Sequence, residues 1–216
     1  MINTKNLLVI TAFAAATVGH AEIVKITVTG TVGFNVIQGS MAGVPTNSPV
    51  VMSFNVDSDT FLNSASFPTR GYNVIDSSFS MTVDGRPVSY DMPQPDPVYF
   101  VLRNNDPAVD GVFLSYGTDL DVPINVHIPG LAPTHELNYL HTFSDNTTFN
   151  SLNIVDAVGT YNLETNISSF NWSIGRFGNA GAEYNPVSMT IESVPEPTTM
   201  AILGLGLLAA ARKRKK

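Results

Sequence analysis

The strongest constraint on the fold is an alternation of apolar and polar side chains with a period of two, which recurs along residues 22–194. In the first segment the apolar residues share one parity and the polar ones share the other. The apolar set is Val24, Ile26, Val28, Val32, Phe34 and Val36. Successive side chains of a strand point to opposite faces, so this period predicts a half-buried antiparallel strand. Gly30 and Gly33 are the predicted points for a bulge or bend.

The same alternation recurs further along the chain. One repeat is Val50, Met52, Phe54 and Val56, and another is Phe79, Met81 and Val83. Asp84-Gly85 then supplies a two-residue turn of the kind that hairpins prefer. Further strands are predicted at residues 98–103, 112–116, 124–128, 167–174 and 187–191. Residues 134–143 and 147–158 are each compatible with a short helical turn instead.

Many short strands separated by turns predict an all-β domain over residues 22–192, in the form of an antiparallel two-sheet sandwich or jelly roll. We expect Val, Ile, Phe and Met on the inner faces and Ser, Thr and Asn outside. Such a surface explains why only 13% of the residues are charged. The chain has no cysteine, which excludes disulfides and thiolate metal sites.

Charge divides the chain into an acidic body and two short ends. Residues 22–194 hold five basic and seventeen acidic side chains, a net charge of −12. This charge argues against nucleic-acid binding, which needs a basic surface. At the N-terminal end, Lys5 precedes a mostly apolar run at residues 7–18, which has the length of a secretory signal core.

Small residues at Gly19 and Ala21 predict cleavage after Ala21. Residues 1–21 are then a signal peptide, with a signal helix, that directs the chain to the Sec export machinery. An uncleaved anchor or a buried first strand is the alternative interpretation.

The C-terminal end has three parts in order. Pro195, Glu196 and Pro197 form a proline-rich motif, and residues 198–211 are apolar. The last part is a basic cluster, Arg212, Lys213, Arg214, Lys215 and Lys216. The apolar part predicts a hydrophobic helix in the inner membrane, and the cluster keeps its end in the cytoplasm by the positive-inside rule. The body is then outside the cytoplasm.

This arrangement, over residues 193–216, resembles the PEP-CTERM sorting signal, which is also catalogued as the C-terminal domain of ice-binding proteins. The resemblance implies an exported protein of a Gram-negative bacterium that makes extracellular polysaccharide. It implies that a membrane protease, exosortase, recognises Pro195, Glu196 and Pro197. The chain would be held transiently in the inner membrane and then reach the cell surface or extracellular matrix. An ordinary tail anchor with a proline linker is the alternative.

Loop aspartates are the candidate metal ligands. Asp57 and Asp59 follow a predicted strand, and loop carboxylates together with carbonyl oxygens can form a calcium site. The competing interpretation is that these residues form turns through their own hydrogen bonds. Further loop aspartates are Asp106, Asp110, Asp119 and Asp121. No cofactor other than calcium is expected.

The histidines fail the one zinc motif that they suggest. His135-Glu136 opens like the helical motif of zinc proteases, but Tyr139 stands where the second histidine must be. A looser site formed by His127, His135 and His141 stays open, against an interpretation of all three as surface or loop histidines. On parity, His127 points away from the apolar face of its strand.

The sequence predicts a non-catalytic protein with a structural or adhesive role. Neither a Gly-x-Ser-x-Gly elbow nor a cysteine nucleophile is present. Two alternatives stay open: a carbohydrate-binding module of the matrix, and a secreted polysaccharide hydrolase that uses two of Glu136, Glu164 and Glu183. Trp172 is an aromatic candidate for sugar binding, but it shares the parity of Ile174, which favours a place in the core.

Overall fold

A computed structural model describes residues 22–91, 93–106, 108–119, 122–131, 134–176 and 179–195. Within these ranges the chain is all-β, as predicted, and contains no α-helix. The strands are β1 (Ile23–Asn35), β2 (Pro49–Asn63), β3 (Thr69–Val74), β4 (Ser80–Val83), β5 (Arg86–Tyr90), β6 (Tyr99–Arg103), β7 (Gly111–Ser115), β8 (Ile124–His127), β9 (His135–Phe143), β10 (Gly159–Asn162), β11 (Ile167–Arg176) and β12 (Asn179–Val194). Short 3₁₀ turns occur at Gly39–Met41, Asp76–Ser78 and Ile154–Ala157.

Eight antiparallel strands close into one barrel. Their order is β1-β12-β11-β9-β7-β6-β3-β2, and β2 pairs back to β1. One wall of the barrel is divided, because β2 and β9 each pair along one edge with two different strands, one after the other. β2 pairs with β4 at residues 50–53 and with β3 at residues 56–63. β9 pairs with β8 at residues 135–137 and with β7 at residues 140–142. Strands β4, β5 and β8 therefore form a second arm between β2 and β9, beside β3, β6 and β7.

The predicted two-sheet sandwich or jelly roll is wrong. A sandwich has strands at which hydrogen bonding stops, whereas each strand of this ring pairs with two neighbours. The sheet closes because β1 pairs with β12 along one edge and with β2 along the other. An alternating pattern specifies which face of a strand is buried, but it does not specify the partner of each edge.

The alternation itself is confirmed in β1 and β2. Val24, Ile26 and Val28 are buried, as are the four predicted inner residues of β2. The pairing of β1 with β12 shifts register at Thr29/Gly30 and at Val32/Phe34, which confirms the predicted irregularities at Gly30 and Gly33. Beyond the second shift the prediction is wrong, because Phe34 is 45% exposed and Val36 is 57% exposed.

Gly30 is required by a close approach inside the barrel. A Cβ atom at this position would lie 2.6 Å from Cζ3 of Trp172 and 2.4 Å from the backbone oxygen of Asn185. The missing side chain therefore lets the Trp172 ring pack against β1 across β12.

The predicted helical turn at residues 134–143 is wrong, because this segment is β9. Its inner residues are His135, Leu137, Tyr139, His141 and Phe143, all of them buried. Counting histidine as a polar residue conceals this alternation. The second predicted turn is confirmed in part, since residues 147–158 contain the 3₁₀ turn Ile154–Ala157.

The predicted hairpin turn is confirmed. Asp84 and Gly85 both have positive φ, 55° and 73° respectively, which is the backbone of a tight turn between paired strands. The amide of Asp84 also donates to the carbonyl of Pro49 on β2.

The barrel interior holds a cluster of buried aromatic rings with polar atoms. The Trp172 ring meets Tyr139 at 5.9 Å and Tyr184 at 5.4 Å between centroids, and Tyr139 meets His141 at 4.7 Å. Within the part of the chain that the structure describes, neither ring nitrogen of His141 has a hydrogen-bond partner. Burial lowers the pKa of His141 to about 3, so the imidazole is neutral at pH 7.

His141 should make the fold sensitive to acid. Below about pH 6.5 the unfolded chain binds a proton at this residue that the folded chain does not bind, so stability falls as the pH drops toward 3. Between pH 7 and pH 4 we expect the wild type to lose about 3 kcal/mol more than His141→Leu. Urea unfolding at the two pH values measures this difference. His127→Leu, at a half-exposed position, is the control that should retain the wild-type slope, and equal slopes in wild type and His141→Leu would contradict the prediction.

Candidate functional site

A pocket opens where β4 and β5 separate. The two strands pair from Met81/Val88 to Val83/Arg86, and β5 then leaves β4 and pairs with β8 through Ser89 and Tyr90. A pocket of about 670 Å³ lies along these two strands and the segment that precedes β4. We call it the fork pocket; its lining residues are Asp76, Ser77, Phe79, Ser80, Met81, Thr82, Pro87, Val88, Ser89 and Tyr90.

Two aromatic rings form one side of the fork pocket. Phe79 and Tyr90 lie with their centroids 4.8 Å apart and their planes inclined by 33°. Phe79 also stacks on the buried ring of Phe54, at 6.4 Å and 8°. The core therefore supports this aromatic wall, and the wall does not need a ligand to be held in place.

Polar groups lie beside the aromatic wall. The hydroxyl of Tyr90 is buried, and no described residue meets the distance and angle limits of a hydrogen bond with it, although the Asp76 carboxylate lies close enough to act on it. Burial, together with the negative charge of Asp76, raises the pKa of Tyr90, so the phenol stays protonated and able to donate. Ser77, Ser80 and Ser89 add hydroxyl groups to the lining. An apolar surface with a few polar groups is the usual composition of a small-molecule site.

The sequence did not identify the fork pocket. Phe79 shares the parity of Met81 and Val83, so the alternation assigns it to the core together with Tyr90 on the return strand. Both rings are instead only half-buried, because β5 changes partner after Val88. No local signal in the sequence marks that change.

The predicted calcium ligands lie in a bulge of β2, between residues 56 and 61. Asp57 Oδ1 accepts a hydrogen bond from the amide of Asp59 at 2.9 Å, and Asp57 Oδ2 accepts one from the hydroxyl of Thr60 at 3.1 Å. Both oxygens of Asp57 therefore take part in a local turn. Among the described residues, no group of three or more His, Asp or Glu side chains is placed to hold a metal ion. Calcium binding at Asp57 and Asp59 stays a prediction.

Asp110 is a structural carboxylate. It is fully buried, and its two oxygens accept hydrogen bonds from the amides of Asn105 at 2.9 Å and Phe149 at 2.8 Å. It thereby joins the β6–β7 loop to the segment after β9. Asp106 lies 3.5 Å from the guanidinium of Arg103. Asp121 lies outside the described residues.

The histidines do not form the looser metal site that the sequence left open. The interpretation of all three as surface or loop residues is also wrong for His135 and His141, which are buried in β9. Residues 135 and 139 lie on the same face of β9, but four residues of a strand span about 13 Å, whereas four residues of a helix span about 6 Å. The geometry of the zinc-protease motif is therefore absent as well. His127 is half-buried between two buried neighbours, as its parity predicts.

The other sequence candidates lie away from the fork pocket. Trp172 is buried in the core, as its parity favoured, and Glu136, Glu164 and Glu183 are not among the lining residues of the pocket. The predicted signal peptide, its cleavage site at Ala21, Glu196, Pro197, the apolar segment 198–211 and the basic cluster lie outside the described residues. No helix within the described ranges has the length and apolar character needed to cross a membrane.

Asp110→Ala should destabilise the fold by about 3 kcal/mol, because it leaves two buried amides without an acceptor. Asp110→Asn retains one oxygen and should cost less. Thermal or urea unfolding with a calcium chelator present measures both variants. Asp59→Ala, at an exposed position, is the control and should change stability by no more than about 0.5 kcal/mol. An Asp110→Ala variant as stable as this control would show that Asp110 does not hold the two loops together.

Comparison with known proteins assigns the C-terminal segment. Residues 193–215 match the family model of the PEP-CTERM protein-sorting motif. No curated protein and no solved structure matches the chain. The chain therefore carries the PEP-CTERM sorting signal that its sequence resembles, and this signal implies exosortase-dependent export and sorting to the cell surface.

Proposed function

We propose that the chain is a non-catalytic protein of the cell surface or extracellular matrix whose barrel binds polysaccharide in the fork pocket. The sorting motif brings the barrel to a place where such polymers occur. Binding there gives the protein its structural or adhesive role.

The placement of Phe79 and Tyr90 beside Asp76 is the observation that carries this proposal. A sugar ring presents C–H groups on its face and hydroxyls at its edge. The aromatic faces pack against the C–H groups. The Asp76 carboxylate accepts from sugar hydroxyls, and the Tyr90 hydroxyl and the serines supply further hydrogen bonds.

The same lining favours binding over hydrolysis. Glycosidases generally need two carboxyl groups about 5–10 Å apart. Among the described residues that line the fork pocket, Asp76 is the single carboxylate. With one carboxylate, the fork pocket is able to hold the polymer by hydrogen bonds without cleaving it.

The tail provides delivery in two steps. Residues 198–211 hold the chain transiently in the inner membrane, and the basic cluster from Arg212 to Lys216 stays in the cytoplasm. Exosortase then acts at the motif that begins with Pro195, after which the barrel moves to the cell surface or matrix.

Substitutions in the fork pocket should weaken polysaccharide binding. We expect Asp76→Asn and Tyr90→Phe each to lower affinity by about tenfold: the first removes the negative charge and one acceptor oxygen, the second removes the hydroxyl, and both keep the shape of the side chain. A glycan array on the full chain in detergent identifies the polymer, and calorimetry with that polymer measures the affinities. Phe34→Ala, which removes an exposed ring elsewhere, is the control and should bind as the wild type does.

Two results would contradict the proposal. Unchanged binding by Asp76→Asn and Tyr90→Phe would exclude the fork pocket as the site. Release of shortened sugars by the wild type, abolished in Asp76→Asn, would show a hydrolase.

The sorting motif should control processing. Alanine at Pro195, Glu196 and Pro197 together should leave the tail attached and retain the protein in the inner membrane. Cell fractionation and the mass of the purified protein measure this effect. Thr198→Ala with Thr199→Ala is the control that should be processed normally. If the triple variant reaches the surface with the wild-type mass, exosortase does not read these residues.

A further inference from the structure

Both ends of the described chain lie at one end of the barrel. Ile23 pairs with Val194 of β12 on one side and with Asp57 of β2 on the other. Glu22 exchanges two hydrogen bonds with Ser58: its amide donates to the serine hydroxyl at 2.9 Å, and its carbonyl accepts from the serine amide at 3.0 Å. The sorting tail, which follows Val194, therefore starts beside the first residue of β1, one strand away from β2.

The β2–β3 hairpin extends past the level of Ile23 and Val194, and β6 pairs alongside β3 from Tyr99 to Arg103. The pairing of β2 with β1 ends at Asp57, opposite Ile23. The pairing of β2 with β3 continues from Val56, opposite Val74, to Asn63, opposite Arg70. Four residues of β3 span this distance, which is about 13 Å at 3.3 Å per residue. The loop between Asn63 and Thr69 extends further. Relative to β1 and β12 the hairpin is thus an overhang near the point where the tail leaves, while β6 supports its other side.

The end of this overhang is apolar and uncharged. We call residues 61–69 the hairpin tip; none of them is charged. Phe61 is 43% exposed, Leu62 46% and Phe67 47%. The neighbouring connections carry acidic residues: Asp106 and Asp119 line a small pocket together with Phe67, and Asp145 lies in the segment after β9. In a body with a net charge of −12, three exposed large side chains on an uncharged segment mark the hairpin tip as a candidate contact for an apolar partner.

Two cations stand at the base of the hairpin tip: Arg70 within β3, and Arg103, which lies opposite Thr69 on β6. The Arg70 guanidinium lies 4.3 Å from the centroid of the Phe61 ring, and its Nε donates to Asn63 Oδ1 at 2.7 Å. Aromatic rings with a neighbouring arginine are typical of protein surfaces at a membrane interface, where the rings enter the headgroup layer and the cation meets phosphate.

We propose that the hairpin tip is a bilayer-contacting surface, which enters the lipid headgroup layer while the tail anchors the chain. This inference rests on the proposed anchor. The linker from Val194 to Thr198, where the segment of residues 198–211 begins, covers four residue steps, at most about 14 Å. The linker holds the bilayer surface within about 14 Å of the end of β12, and the hairpin extends about 13 Å in the same direction, so the hairpin tip is able to reach the bilayer.

Two contacts with the bilayer fix the orientation of the barrel relative to the membrane, whereas one contact would let the barrel rotate about it. The tail supplies the first and the hairpin tip the second. Together they hold the segment that begins at Pro195 close to the lipid surface, where a membrane-embedded protease acts.

Fluorescence quenching in vesicles tests the contact. Because the chain has no cysteine, Ala65→Cys at the hairpin tip and Thr46→Cys at the opposite end of the barrel each give one labelling site. Each full-length chain carries an environment-sensitive fluorophore in vesicles of phosphatidylethanolamine and phosphatidylglycerol at about 3:1, with lipids that carry a quencher near the headgroup. Flotation of the vesicles on a density gradient reports tail insertion independently.

We expect the chain to float and the label at position 65 to lose about half of its emission, with no loss at position 46. Serine at Phe61, Leu62 and Phe67 together should abolish this quenching, and serine at Phe34 and Val36, also exposed, should leave it unchanged. Melting temperatures verify that both variants are folded.

A chain that floats without quenching at position 65 would overturn the hairpin contact and leave the anchor intact. A chain that neither floats nor shows quenching would overturn both. Quenching without stable flotation would support the contact and reject the anchor.

Discussion

The structure depends on one constraint, which is that β1 is hydrogen bonded along both of its edges. Its pairing with β12 on one side and β2 on the other closes the sheet into a ring. Without either pairing, the inner face from Val24 to Val28 would lie at an open edge and lose part of its cover. Gly30 contributes to closure, because any larger residue would collide with Trp172 inside the barrel.

Closure also determines where the functional parts lie. Because β1 starts and β12 ends at the same place, both ends of the barrel segment leave from one side, next to the β2–β3 hairpin. The fork pocket lies on the second arm, where β5 changes partner from β4 to β8. A single barrel thus separates the proposed membrane contact from the proposed sugar site, so a chain held in the membrane is able to bind polymer.

With no cysteine, the barrel relies on packing and on polar groups that are placed carefully. Asp110 shows one solution, in which a buried carboxylate has an amide for each of its oxygens. His141 shows the other: it remains neutral because burial lowers its pKa. The first arrangement joins two loops, and the second makes the barrel sensitive to acid.

Part of this could be predicted from the sequence. The alternation in β1 and β2 predicts which face of each strand is buried, and Asp84-Gly85 predicts a hairpin turn. Both signals are local, so the sequence contains them. The tail was recognisable for the same reason, since its three parts are contiguous. The barrel was not predictable, because alternation says nothing about which edges pair. β9 was missed because two of its five inner residues are histidines. Phe79 and Tyr90 were missed because the sequence treats them as ordinary core residues.

Hydrogen exchange of the β1 amides tests the closed barrel most directly. In an antiparallel strand successive amides point to opposite edges. With both edges paired, every amide from Val24 to Thr29 should exchange only through global unfolding, at one common slow rate. If β1 were the edge of a sandwich, alternate amides would exchange quickly while those between them stayed protected. Uniform protection is the result that the closed barrel predicts, and an alternating pattern would contradict it.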